Sequence, residues 1–358
     1  MGLGIGFVGC GFIATIHAGA LTALAQRGHV DVNLAACCDR DPRRAGAFAA
    51  TFGFGAHTTD PAALVARDDV DAVYVCTPTA SHPELVELVA AHGKALFCEK
   101  PLAFDAVTAE RMAATVAAAA VVARVGLVLR FSPTMREVRR RAAGSAGIMA
   151  TVLRDDQFIP IRGRYGSTWR VDRTQAGAGT VLEHSIHDFD ILRWICGDVA
   201  SVAAVTRCVA GHPGIEDTAV VTLEFAGGAV GSLVSVWHDV DSRASTRRLE
   251  VLCRDTWVAT DDDTYGDVTV QGSAATEEVA APDSALRVCE ELGAPPVLAE
   301  PGGVWMLEDW AFCRTAAGAP VEGPTFNDAV AAHRCVDAVY ESARRGGEPV
   351  TVSPTGAR

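Results

Sequence analysis

The sequence predicts an α/β protein of two domains: an N-terminal doubly wound parallel sheet, then an α+β domain built on a large, mostly antiparallel sheet. Three observations predict it. At 358 residues the chain is too long for one ordinary core. From residue 3 to about 129, short uninterrupted apolar runs alternate with helical patterns, as strands buried on both faces between crossover helices do. After Leu129 the runs alternate apolar with polar residues, the pattern of strands with one solvated face. The boundary falls near residue 125, giving domains 1–125 and 126–358.

Taken in order, "LGIGFV" is the first strand and runs into Gly9-Cys10-Gly11-Phe12-Ile13-Ala14, a GxGxxA turn that opens a helix. Gly9 permits the tight turn, Gly11 lets a pyrophosphate approach the backbone, and Ala14 allows close helix–strand packing. The helix N-terminus at Phe12 and Ile13 supplies amide donors. These features describe a Rossmann dinucleotide-binding unit; a structural glycine turn in a nucleotide-free domain is the plainer alternative. The second strand, "VNLAACC", ends at Asp39, whose carboxylate is placed to take both ribose hydroxyls. Asp39 lies 30 residues beyond Gly9, against an interval of roughly 20 in the usual fingerprint, and a longer first helix with the "RGHVD" turn absorbs the excess. Asp39 repels a 2′-phosphate and so favours NAD, while the adjacent Arg40 can pair with one, which keeps NADP open.

The strand "DAVYVC" ends in Thr77-Pro78-Thr79-Ala80-Ser81-His82, and "ALFC" ends in Cys98-Glu99-Lys100-Pro101. Both ends fall on the carboxyl edge of the sheet, where ligands of such folds bind, so Thr77, Pro78, His82, Glu99 and Lys100 are expected at the cofactor. Of the 31 basic residues only Lys94 and Lys100 are lysine. In a chain so inclined to arginine, a retained lysine marks a place for a compact ammonium that can be desolvated. Pro101 keeps Lys100 out of the α conformation and so aims its side chain from an extended backbone. An ion pair with Glu99 is the structural alternative.

In the second half "RFSPTMREVRRRAAG" reads as a helix, and strands are expected at 149–158, 199–209, 217–226, 230–237 and 247–260. Between them, "GTVLEHSIHDFD" at 179–190 holds two histidines and three carboxylates. Thr180 is expected to cap one helix from Val181 through Trp194, which puts Glu183 and His187 on one face and the pair His184 and Asp188 about 100° away. Three uses remain open: a metal held by His184 and His187 with Glu183 or Asp190, a solvated helix face, or a proton-transferring histidine, whose ordinary pKa near neutrality suits that work.

Composition excludes several classes. Hydrophobic residues at 49% and charged residues at 21% describe a globular chain, and no run approaches eighteen apolar residues, so no membrane partner is expected. The N-terminus lacks a basic n-region and cleavage pattern, which points to the cytoplasm. The net charge of −13, with no basic stripe beyond "REVRRR", argues against nucleic acid. Eleven scattered cysteines without a CxxC pair read as small buried residues in a reducing compartment.

The stretches "GFVGCGFIA", "CTPTASHPELVELVAAHGKALFCEKPLA" and "WRVDRTQAGAGTVLEHSIHDFDILRWICG" resemble the glucose–fructose oxidoreductase, inositol dehydrogenase and rhizopine-catabolism (Gfo/Idh/MocA) family of NAD(P)-dependent oxidoreductases. The resemblance implies hydride transfer between nicotinamide and a secondary hydroxyl or ketone of a sugar, aminosugar or cyclitol, with no metal. It makes His187 the acid/base, places Glu183 where the family usually has aspartate, and has Lys100 hold the substrate oxygen, stabilise alkoxide charge and depress the His187 pKa. Arg130, Trp169 and Arg170 are expected at the substrate beside Lys100, Glu183 and His187. A homodimer or homotetramer built on the second sheet is implied too. A catalytically silent dinucleotide-binding regulator, or a metal-dependent hydrolase or lyase using His184 and His187, are the alternatives.

Overall fold

The computed structural model describes residues 2–162 and 165–352. The first 125 residues form a six-stranded, all-parallel sheet. Its strands are β1 (Leu3–Val8), β2 (Val32–Cys38), β3 (Ala56–Thr58), β4 (Ala72–Val75), β5 (Ala95–Cys98) and β6 (Ala123–Val125), in the order β3-β2-β1-β4-β5-β6. Chain order reverses between β1 and β4, which opens a crevice at their carboxyl ends. The helices α1 (Phe12–Gln26), α2 (Pro42–Phe52), α3 (Pro61–Val65), α4 (His82–Ala91) and α5 (Ala106–Ala119) cover its two faces. Asp41, Asp60 and Asp105 each accept an amide hydrogen bond from the first turn of α2, α3 and α5, satisfying donors those ends leave free.

The second sheet has nine strands: β7 (Ile148–Phe158), β8 (Val199–Arg207), β9 (Thr218–Phe225), β10 (Val230–His238), β11 (Thr246–Cys253), β12 (Thr256–Thr260), β13 (Val268–Gly272), β14 (Thr276–Val279) and β15 (Val350–Thr351). Their order is β14-β13-β12-β11-β7-β10-β9-β8-β15, antiparallel except for β7 beside β10. One face packs on helices α6 (Pro133–Ala143), α9 (Ile186–Cys196) and α12 (Phe326–Arg344), preceded in the chain by the short α7 (Arg173–Ala176) and α8 (Thr180–Glu183), and by α10 (Ala281–Leu292) and α11 (Gly303–Ala316). β9 alternates buried Ala219, Val221, Leu223 and Phe225 with exposed Val220, Thr222 and Glu224, so its other face is open.

The expected strand over 247–260 is a hairpin, β11 and β12, and β13, β14 and β15 extend the sheet further. The expected split near residue 125 is crossed by later chain. Phe312 and Cys313 of α11, and Phe326, Ala329 and Val330 of α12, pack into the cores of the parallel-sheet domain. Among the described residues no helix is long and apolar enough to cross a membrane.

Candidate active site

At the first turn, Gly9 has φ +93°, and a Cβ there would lie 2.6 Å from the Cys76 carbonyl oxygen, so only glycine fits. A Cβ on Gly11 would meet no protein atom within 4 Å. The protein therefore leaves open the space a pyrophosphate needs above the N-terminus of α1, and the residues present fit a dinucleotide. The Asp39 carboxylate accepts from the Cys10 amide at 3.0 Å and the Asp41 amide at 2.9 Å, which fixes it beside the turn. Arg44, on α2, lies 3.7 Å from it, while Arg40 is exposed. Ile13 is half-buried, and Phe12 projects from the turn to meet Tyr165 edge-on, with ring centroids 5.2 Å apart.

The loop after β4 presents Thr77 and Pro78, both half-buried. His82 is buried and bridges the carbonyls of Pro101 and Thr77 at 2.8 and 2.9 Å. It therefore ties the two loops that flank the crevice together, a framework role in place of the expected cofactor contact. Glu99 is likewise engaged, with His17 and with the Lys100 amide. The Lys100–Pro101 peptide bond is cis.

The ammonium of Lys100 donates to the Glu183 carbonyl oxygen at 2.7 Å, which brings the end of β5 onto the second domain. The expected single helix at 180–194 is two: α8 ends at Glu183, and α9 begins at Ile186. Thr180 does not cap it. The N-cap is Gly179, whose amide, with that of Val181, is held by the buried Glu216 carboxylate at 2.9 and 3.0 Å; the Tyr340 hydroxyl donates to the same carboxylate. The Thr180 hydroxyl instead meets Ser235, as does that of Ser185. A Cβ on Gly179 would lie 1.8 Å from the Glu216 carbonyl oxygen, so α8 packs onto the segment before β9 only because residue 179 is glycine. The break means that Glu183 and His187 are not one helical turn apart on a shared face.

Glu183 is buried and held from both domains: Thr79 Oγ1 donates to it at 2.8 Å and Arg170 Nε at 3.2 Å. The Arg170 guanidinium also lies 4.6 Å from the centre of the Trp169 ring and occupies one face of it. Gly163 and Arg164, in the same loop, lie outside the described residues. Arg130 is not placed with this group as expected. Its guanidinium is bidentate to buried Asp190, at 2.8 and 2.6 Å, and reaches Asp328 at 3.1 Å. This ion pair holds the short 3₁₀ turn Val128–Phe131, α9 and α12 together.

The two histidines differ. His184 Nδ1 accepts from Trp237 Nε1 at 3.2 Å; the indole only donates, so the ring is neutral with its proton on Nε2. His187 is buried and its Nδ1 makes no hydrogen bond. Burial, then the charges of Lys100 and Arg247, holds both rings well below the ordinary histidine pKa. Burial, then the Arg170 guanidinium, lowers Lys100 to about 8. Asp188 is taken by Arg247, which also binds Asp155 and Asp263. Among the described residues no group of three or more His, Cys, Asp or Glu side chains is arranged to hold a metal. Sequence reasoning missed Thr79, Glu216, Tyr340, Trp237 and Arg247 at this site, all brought in by tertiary packing.

Two family models match the chain: an oxidoreductase family with an NAD-binding Rossmann fold over residues 3–127, and the GFO/IDH/MocA C-terminal domain over residues 146–259. The inositol 2-dehydrogenase of Rhizobium meliloti is 33% identical over 228 residues; the match covers 62% of this chain and 65% of that protein, just under two thirds of its length. The D-apiose dehydrogenase of Paraburkholderia graminis is 29% identical over 362 residues, covering 95% of this chain and 87% of its own. The crystal structure of an oxidoreductase domain protein from Kribbella flavida superposes with a TM-score of 0.86 at 25% identity, over 99% of this chain and all of that one. With the glycine turn, the Glu99-Lys100-Pro101 loop and the nine-stranded sheet all in place, the chain belongs to the Gfo/Idh/MocA family of oxidoreductases, and its first domain is an NAD-binding Rossmann domain.

Proposed function

We propose that the protein is an NAD-dependent dehydrogenase or ketoreductase acting on a secondary hydroxyl or ketone of a sugar, aminosugar or cyclitol. The observation that carries this reading is the contact of Lys100 with the Glu183 carbonyl, which brings Lys100, at the carboxyl edge of the parallel sheet, against the second domain, with its charge felt at His187. Relatives whose names specify inositol and apiose support the substrate class. The bound nicotinamide would supply the hydride acceptor. His187, neutral because it is buried, takes the hydroxyl proton of the substrate. Lys100 donates a hydrogen bond to the same oxygen and stabilises its developing negative charge. Glu183, clamped by Thr79 and Arg170, shapes the pocket and anchors Lys100 through its carbonyl. NAD reduction assayed over a panel of cyclitols and sugars, with Lys100→Met in parallel, tests the reading: turnover on one member that is lost in the variant supports it, and turnover retained in the variant sinks it.

The open face of the nine-stranded sheet supports a homo-oligomer. Val152, Val205, Val220, Val230 and Leu252 are exposed there, around a depression of about 440 Å³ lined by Val152, Thr222, Val230 and Ser232, away from the Lys100 group. The eleven thiols, none of them in a disulfide, favour a reducing cytoplasmic setting.

A further inference from the structure

Beneath the crevice lies a chain of buried polar side chains that hydride transfer does not itself call for. His17 sits on α1, wholly buried, with its ring against the stacked pair Tyr74 and Phe97 at centroid distances of 5.3 and 5.0 Å. Its Nε2 lies 3.0 Å from Glu99 Oε1 and its Nδ1 lies 2.8 Å from Asp309 Oδ1. The remaining oxygen of Glu99 accepts from the Lys100 amide at 3.0 Å, and Asp309 Oδ1 also accepts from the Tyr74 hydroxyl at 3.1 Å. Four elements, α1, β4, the end of β5 and α11, thus converge on the backbone of Lys100.

The geometry suits a charged ring. An ionised carboxylate on each side of His17 accepts from a ring N–H, the arrangement of an imidazolium. Burial opposes that charge, but Asp309 and Glu99 outweigh it and hold His17 well above its ordinary pKa. Next to Asp309, the carboxyl of Glu308 is buried with neither oxygen hydrogen-bonded, and burial raises its pKa well above the usual range. Glu99 is held below the usual carboxylate range, the His17 ring offsetting its burial, whereas burial pushes Asp309 up against the same ring. Gly126 makes room for the arrangement: a Cβ there would lie 2.8 Å from Glu99 Oε1.

We infer that His17, clamped by Asp309, is a positioning residue that acts through Glu99 to fix Lys100 for the reaction. A carboxylate folding back onto the amide of the next residue has many other conformations open to it, and only the imidazolium on its other oxygen selects this one. Without that cation, Glu99 is an unpaired buried carboxylate and takes up a proton. Lys100 then loses both a backbone restraint and the anion beside it, and its ammonium gives up a proton more easily.

The inference rests on the proposed role of Lys100, and the test separates the two. Lys100 and Lys94 are the only lysines, and the Lys94 ammonium is held by the Arg67 carbonyl at 3.2 Å, so modification by acetic anhydride at pH 7, read peptide by peptide, reports Lys100 against an internal control. In His17→Gln and in Asp309→Asn, Lys100 should be acetylated at least about three times faster than in the wild type with Lys94 unchanged, kcat should fall at least about tenfold, and NAD affinity by direct titration should stay within about threefold. Asp309→Asn keeps the shape of the side chain and secures the test if His17→Gln fails to fold. Unchanged acetylation of Lys100 in the folded variants overturns the inference, even where their melting temperature drops, because packing alone would explain the latter. Activity retained in Lys100→Met instead removes the proposed function while the acetylation result still decides the role of His17.

Discussion

His187 and Lys100 titrate on opposite sides of neutrality, and the sign of each shift sets a pH window. Oxidation of an alcohol needs His187 without its proton and Lys100 with its own. Burial and the nearby cations lower the His187 pKa below 6.5, so the rate should rise with pH below that value and level off by neutrality; with Lys100 at about 8, it should fall again above it. The apparent values belong to the coupled group rather than to either residue. A kcat profile in saturating NAD checks this, and an acid limb centred above 6.5 would contradict the assignment. His187→Ala should lower kcat by roughly 10²–10⁴-fold with NAD affinity intact. Lys100→Arg should fail nearly as badly as Lys100→Met, because a forked guanidinium cannot take the place of a half-buried ammonium that bonds one carbonyl. These residues were legible because Lys100 is one of two lysines and His187 lies within a short acidic segment. His17, Thr79 and Tyr74 were not: their partners lie 292, 104 and 235 residues away, distances over which no local pattern speaks.

At the scale of elements, α8 and α9 show how a break can hide inside a continuous helical pattern. Both pieces bury apolar residues at helical spacing, so periodicity runs on through His184, whose ψ of −58° with φ −121° departs from the helix. Glu216, from the segment preceding β9, holds the first turn of α8, and at the break itself Lys100 takes the Glu183 carbonyl, Trp237 the His184 ring and Ser235 the Ser185 hydroxyl. Two glycine substitutions should therefore behave in opposite ways. Gly179→Ala drives a methyl into the Glu216 carbonyl and should cost at least about 2 kcal/mol by denaturant unfolding. Gly11→Val enters open space, so it should leave the unfolding midpoint near that of the wild type while NAD binding is lost. Strands of the parallel sheet were legible because burial on both faces makes them continuous apolar runs. The short, polar β13 and β14, with "VTVQG" and "TEEV", carry too little of that signal and owe their place to the hairpin begun by β11 and β12.

Across the whole molecule the two domains share their C-terminal helices: α12 packs on β8 and α9 and also sends Phe326, Ala329 and Val330 into the core of the first domain, while His333 accepts from the Leu102 amide just past Pro101. Sequence runs showed two domains and could not show this return, because an amphipathic helix carries no mark of which sheet it will cover. The open sheet face is the other whole-molecule feature. If the proposed oligomer forms on it, Val220→Arg combined with Val230→Asp should lower the molar mass measured by light scattering to that of one chain, with the far-ultraviolet circular dichroism unchanged; an unaltered mass removes this face as the interface. A last consequence follows from the hydrogen bond of Thr79 to Glu183, which joins the loop expected to meet the cofactor to the segment expected to meet the substrate. Whatever dinucleotide binding does to that loop is felt by Glu183, so the two ligands are thermodynamically linked: each must change the affinity of the other by one and the same factor. Occupancy by NAD should tighten substrate binding, giving ordered addition with the dinucleotide first, and Thr79→Val should bring the measured factor toward one while leaving each ligand able to bind alone.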